Sequence, residues 1–263
     1  MSFAATLLLG AIAGLTIFLG LPIARIRNPS RHWQAFLNAV ATGILVFLLW
    51  DVISEANETI ETAMESAQDG HPANFIRLLV MFVGGFAIGL LALVSFESRY
   101  IRRTVTKIQL SEAMPTQLAF MIAVGLGLHN LSEGLAIGQA SRVGEIGLAT
   151  VLIIGFGLHN TTEGFGIAAP LAGAARPSWS FLGLTGLIGG GPTFLGTLLG
   201  YGVKSDTVFV LFLAMAAGSI LYVIAELLHV GRRFGHRTLA MNGILVGFLL
   251  GYGTDLILSW TGA

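Results

Sequence analysis

The sequence predicts an all-α, polytopic membrane protein: eight transmembrane helices forming a single transmembrane domain over residues 1–263, multi-pass in the cell membrane. Three observations predict it. Only 11% of the residues are charged, against about a quarter in soluble domains. Hydrophobic residues make up 54% and the mean hydropathy is +0.81, so the chain cannot clothe a water-facing surface but can face lipid. Apolar stretches of about 20 residues, the length that crosses a bilayer as a helix, recur along the chain with short loops between them.

The first stretch, Phe3–Leu21, has no basic segment ahead of it and is longer than the apolar core of a signal peptide, so it reads as a retained helix. The others are Trp33–Ser54, Phe75–Phe96, Thr116–Gln139, Ile146–Leu171, Trp179–Tyr201, Thr207–His229 and Leu239–Trp260. Eleven of the 14 basic residues fall in the odd-numbered loops: Arg25, Arg27, Arg31, Arg99, Arg102, Arg103, Lys107, Arg176, Arg232, Arg233 and Arg237. The positive-inside rule puts those loops in the cytoplasm and both termini outside. The second loop instead carries Glu55, Glu58, Glu61, Glu65 and Asp69. It reads either as an acidic outer mouth that concentrates cations or as a solvated helix end. Zero net charge gives no reason to expect a nucleic-acid partner, and the absence of cysteine removes disulfides and thiolate metal sites. The 35 glycines suit close helix packing in lipid.

Two segments repeat. Gly125-Leu-Gly-Leu-His-Asn-Leu-Ser-Glu-Gly-Leu-Ala-Ile-Gly138 and Gly155-Phe-Gly-Leu-His-Asn-Thr-Thr-Glu-Gly-Phe-Gly-Ile-Ala168 align without gaps and share eight of 14 positions. Each lies near the middle of a predicted span, the fourth and the fifth. An ionised side chain at the bilayer centre costs about 2.5–3.5 kcal/mol on insertion scales. His129, Glu133, His159 and Glu163 must therefore pair, meet water or bind something. Residues four apart share one face of a helix, so His129 projects with Glu133 and His159 with Glu163. Side-by-side packing of the two helices makes two imidazoles and two carboxylates converge. That set suits a divalent first-row metal such as zinc, with iron, manganese, cobalt and nickel as further candidates and the heavier cadmium as candidate cargo beside them. Asn130 and Asn160 supply amide oxygens as further ligands or orient the carboxylates. A polar cluster serving only as helix glue is the bland alternative, but Asn or Ser alone would supply glue at lower cost. Asn130-Leu-Ser and Asn160-Thr-Thr match the glycosylation pattern only by coincidence at this depth; Asn57-Glu-Thr is a candidate outside.

At these residues the sequence resembles the ZIP family of zinc- and iron-regulated transporters, which has eight spanning helices and His-Asn-x-x-Glu-Gly motifs in its fourth and fifth. The resemblance implies a ZIP-like bundle, with His129, Glu133, His159 and Glu163 as the primary metal site and Asn130 and Asn160 as neighbouring ligands. It also implies movement of the ion towards the cytoplasm, with no prosthetic group. Three departures stand out. Ser132 and Thr162 occupy positions where the family often has proline, so the kink proline would impose is in question. Asn160 and the sixth span, Gly189-Gly-Gly-Pro192, lack the acids of two-metal members, which implies one metal. The third loop lacks a histidine-rich tract.

Other ionisables fall into pairs. Asp51 and Glu55 are four apart near the outer end of the second span, a loading station for the ion or a solvated helix end. Glu226 and His229, three apart near the cytoplasmic end of the seventh, are a release station or residues snorkelling to the interface; His236 follows in the next basic loop. Asp255 lies towards the outer end of the last span, as a gate or a helix-pairing contact, while His32 and His71 read as solvated. Gly84, Gly85 and Gly89, and Gly243, Gly247 and Gly251, offer small-residue surfaces for a homodimer or for internal packing. An intramembrane metal-dependent enzyme is the rival reading, but there is no His-Glu-x-x-His and no spare general acid or nucleophile. A metal-gated channel is the other.

Overall fold

The structure is a computed structural model and describes residues 2–26, 30–68, 70–96, 107–142, 157, 160–171, 176–202 and 205–260. The described secondary structure is helical. The first span breaks into α1 (Phe3–Leu15) and α2 (Ile17–Gly20), followed by a 3₁₀ turn, Leu21–Arg25. At the break the Thr16 hydroxyl donates to Ala13 O at 2.6 Å, and Pro22 begins the tighter turn. Then come α3 (Arg31–Gln68), α4 (Pro72–Phe96) and α5 (Lys107–Arg142). Helix α6 occupies residues 160–168 and ends in a 3₁₀ turn, Ala169–Leu171. The chain closes with α7 (Trp179–Gly202), α8 (Asp206–Phe234) and α9 (Arg237–Trp260).

Seven helical segments among the described residues are long and apolar enough to cross a membrane. They match seven of the eight expected spans. Most of the eighth, Ile146–Leu171, lies outside the described residues; its described part is α6.

One expectation is corrected. From Glu55 to Glu65 the acidic stretch after the second span is not a loop but an exposed helix end, the second of the two readings, since α3 continues to Gln68; Asp69 lies outside the described residues. Ala, Glu, Met and Gln are good helix formers, and Asn57 donates to Glu61 at 2.6 Å one turn on. Ile60 and Ala63 face inward from the extension and pack with Leu78 of α4 and Val210 of α8. The 13 residues past Glu55 reach about 20 Å at 1.5 Å per residue.

Two bundles emerge from the packing. In one, α5 lies along α7, with α1 against both. In the other, α4 lies along α8, α9 along α3, and α3 against α8. Helix α6 joins the first: Gly164 sits against the carbonyl of Ile17, and Asn160 donates to Ala13 O at 3.0 Å. The α5–α8 contact is the main seam between them. Glycine sets the spacing in both. A Cβ on Gly134 would strike Thr193 O, and one on Gly196 would strike Leu131 O. In the second bundle Gly89 abuts Met215 O and Gly247 abuts Val40 O. The glycine surfaces of the third and eighth spans are thus used in internal packing, except Gly84, which faces open space. Large apolar side chains such as Ile76, Val83, Leu91 and Leu245 point outward, where lipid lies.

Candidate metal site

Helix α5 passes through its motif without interruption, so His129 and Glu133 stand one turn apart on one face. His129 Nε2 lies 3.4 Å from Glu133 Oε1. From α6, Glu163 brings Oε1 to 3.8 Å from the same nitrogen. His129 is 1% exposed, Glu133 4% and Glu163 0%, so this cluster is sealed within the helices. Ser132, unlike a proline, keeps its backbone N–H for the helix, and the helix is continuous through the motif.

The asparagines are oriented by their donors. Asn130 donates to Glu163 Oε2 at 2.7 Å and to Gly189 O of α7 at 3.0 Å. Asn160 donates to Ala13 O. With their N–H groups committed, both amides turn their Oδ1 atoms elsewhere. Asn130 Oδ1, Asn160 Oδ1 and Glu133 Oε2 are buried and have no hydrogen-bond partner among the described residues. Buried polar oxygens are rarely left so.

His159 lies outside the described residues, so its place in the cluster is not described. Among the described residues, no three His, Asp or Glu side chains close around a single point; two carboxylates share contacts with one imidazole.

The α3 acids also turn towards this cluster. Asp51, half-buried, is within electrostatic reach of His129, Glu133, Glu163 and Asp255. Glu55 is within reach of Asp51, His129 and Glu133. Asp255 therefore adjoins Asp51 rather than standing alone. At the other end of the molecule, His229 is exposed beside Arg233, with Nε2 3.2 Å from the guanidinium, and Glu226 is half-buried. No contact joins either to the cluster among the described residues. Two groups escaped sequence reasoning: the carbonyls of Gly189 and Ala13 that aim the asparagines. Backbone acceptors carry no residue-type signal, although the glycine run at 189–191 marks where α7 is bare.

A sequence model of the ZIP zinc transporter family matches residues 102–253, the stretch that holds both motifs. The chain belongs to the ZIP family. Curated proteins called zinc transporter ZupT are similar to it along nearly their whole length. The one from Streptococcus mutans is 25% identical over 250 residues, covering 92% of this chain and 93% of that protein. The one from Chlorobium limicola is 28% identical over 261 residues, covering 94% and 95%. The one from Akkermansia muciniphila is 28% identical over 260 residues, covering 92% and 93%. ZIP membership makes this a multi-pass membrane transporter of metal ions and sets the enzyme reading aside.

Proposed function

We propose that this ZIP protein carries zinc, and with it related divalent ions such as iron, manganese, cobalt, nickel and cadmium, towards the cytoplasm. The ion is held by His129, Glu133 and Glu163, with His159, Asn130 and Asn160 completing the set. The observation that carries this reading is the buried meeting of one imidazole nitrogen with two carboxylates, in motifs whose Asn130 and Asn160 oxygens are also buried and unpartnered among the described residues. Zinc binds nitrogen and oxygen at about 2.0–2.2 Å, so neighbouring donors around a tetrahedral ion stand about 3.4 Å apart. The His129–Glu133 separation of 3.4 Å has that spacing, and the His129–Glu163 separation of 3.8 Å must shorten as the ion draws Glu163 in. Nitrogen and oxygen donors without thiolate bind with moderate affinity and so allow release. Protonation of the same groups on the cytoplasmic side would weaken binding.

The proposed route runs from α3 through the motif helices to α8. Asp51 and Glu55 stand on α3, in the bundle opposite the motif helices, and form the loading station. Glu226 and His229 receive the ion at the cytoplasmic end of α8. Alternating access arises as the glycine-locked bundle of α1, α5, α6 and α7 moves past α3 and α8 along the α5–α8 seam. Gly125 faces Ser219 across that seam, with 3.3 Å to an added Cβ, a small-residue surface suited to sliding.

The test is zinc uptake into proteoliposomes, followed with a trapped zinc-sensitive dye. The parent should show saturable uptake that His129→Ala and Glu163→Ala, checked for folding by gel filtration, abolish. Uptake that rises linearly with zinc would favour a channel. Undiminished uptake in folded variants would remove the site from the pathway.

A further inference from the structure

A cavity of about 460 Å³ opens between α3, the end of α8 and the start of α9, far from the zinc cluster and wholly within the second bundle. Its size is within the range of small-molecule sites. Ala39 and Ile244 line its apolar depth, and Arg232, His236 and Arg237 line its rim. The rim lies on the side where the basic loops gather, which positive-inside assigns to the cytoplasm. None of the lining residues is acidic. The His236 ring stacks on His32 at 4.2 Å, which ties the rim to the start of α3. Asn38, only 4% exposed, forms part of the wall; its amide donates to Leu227 O at 3.1 Å, and its Oδ1 has no partner among the described residues.

We infer that this groove holds an anionic phospholipid of the cytoplasmic leaflet, one acyl chain in the slot and the phosphate on Arg232 and Arg237. Two features select a lipid over a soluble anion. The slot is apolar below a charged rim, and its side wall continues into Leu228 and Met241, 40% and 55% exposed, on the lipid-facing surface. The charge selects an anionic headgroup: basic pockets between helices on the cytoplasmic side recognise such lipids. A lipid here would wedge α9 against α3 and α8 and steady the bundle against which the zinc-carrying bundle works.

Native mass spectrometry of the full chain tests this, with phosphatidylglycerol and phosphatidylcholine added in equal amounts. The parent should retain phosphatidylglycerol and shed phosphatidylcholine. A basic residue near a membrane surface contributes about a fivefold factor in lipid affinity, so Arg232→Gln with Arg237→Gln should weaken retention about 30-fold. Ala240→Phe, which fills the slot and leaves every charge in place, should abolish it. Because Arg232 and Arg237 are exposed, the double variant keeps the test open if Ala240→Phe fails to fold. Equal retention of both lipids, unchanged retention in the folded variants, or displacement of phosphatidylglycerol by millimolar inorganic phosphate would each overturn the proposal. The readout is bound lipid, so its failure is separable from failure of zinc uptake.

Discussion

Asn130→Ala should separate holding the metal ligands in place from holding the bundle together. In the parent its amide makes two buried hydrogen bonds, to the Glu163 carboxylate at 2.7 Å and to Gly189 O at 3.0 Å. A hydrogen bond to a charged group contributes about 1.5–3 kcal/mol and a neutral one about 0.5–1.5, whereas interhelical polar contacts in membranes average about 0.6. Removing both should therefore destabilise the protein by about 1–4 kcal/mol. The same change frees Glu163 to turn away from His129 and removes the Asn130 oxygen. Losing a group that orients a ligand lowers metal affinity about 10–100-fold. Zinc uptake in proteoliposomes should show half-saturation raised by that factor, with a lowered but measurable melting temperature. Asn38→Ala is the control. It also removes a buried amide that donates to a backbone carbonyl, Leu227 O, but lies away from the cluster, so it should lower stability and leave half-saturation unchanged. Parent-like half-saturation in Asn130→Ala, or an equal shift in Asn38→Ala, would refute this account of the asparagine.

Gly134→Leu should fail to assemble, because its Cβ meets the backbone oxygen of Thr193, which cannot rotate away; Gly84→Leu, facing open space, should melt like the parent. Asp51→Asn with Glu55→Gln should raise half-saturation several-fold at low ionic strength, with the difference shrinking as salt is added, since loading acids act through their field. Ile60→Asp should cost about 3 kcal/mol and open the α3 extension to added protease, because it places a carboxylate among Ala63, Leu78 and Val210.

Hydropathy made the spans legible because every spanning helix must satisfy its own backbone, and seven appear among the described residues near their expected bounds. Their continuation into water was not legible in this way. Residues 55–68 are polar, so hydropathy ends at Ser54, although Ile60 and Ala63 already carried a helical spacing. The meeting of His129 with Glu133 and Glu163 was legible because these residues are costly at that depth and share a repeated frame. Partnership between helices was hidden. Gly134 within the motif marks a bare point on α5 but does not name its partner; that α7 is the helix packed there shows only in the structure, where Gly134 and Gly196 meet carbonyls of the facing helix. Nor could spacing alone turn Asp51 towards His129, since α3 presents several faces and only tertiary packing selects one.

The most direct test of the central claim is zinc X-ray absorption on the purified protein, in the parent and in His129→Ala. The account predicts a shell of nitrogen and oxygen donors at about 2.0–2.1 Å with no sulfur, and imidazole scattering that diminishes in the variant. A zinc signal identical in His129→Ala, or no bound zinc in a folded parent that still takes up the ion, would contradict it.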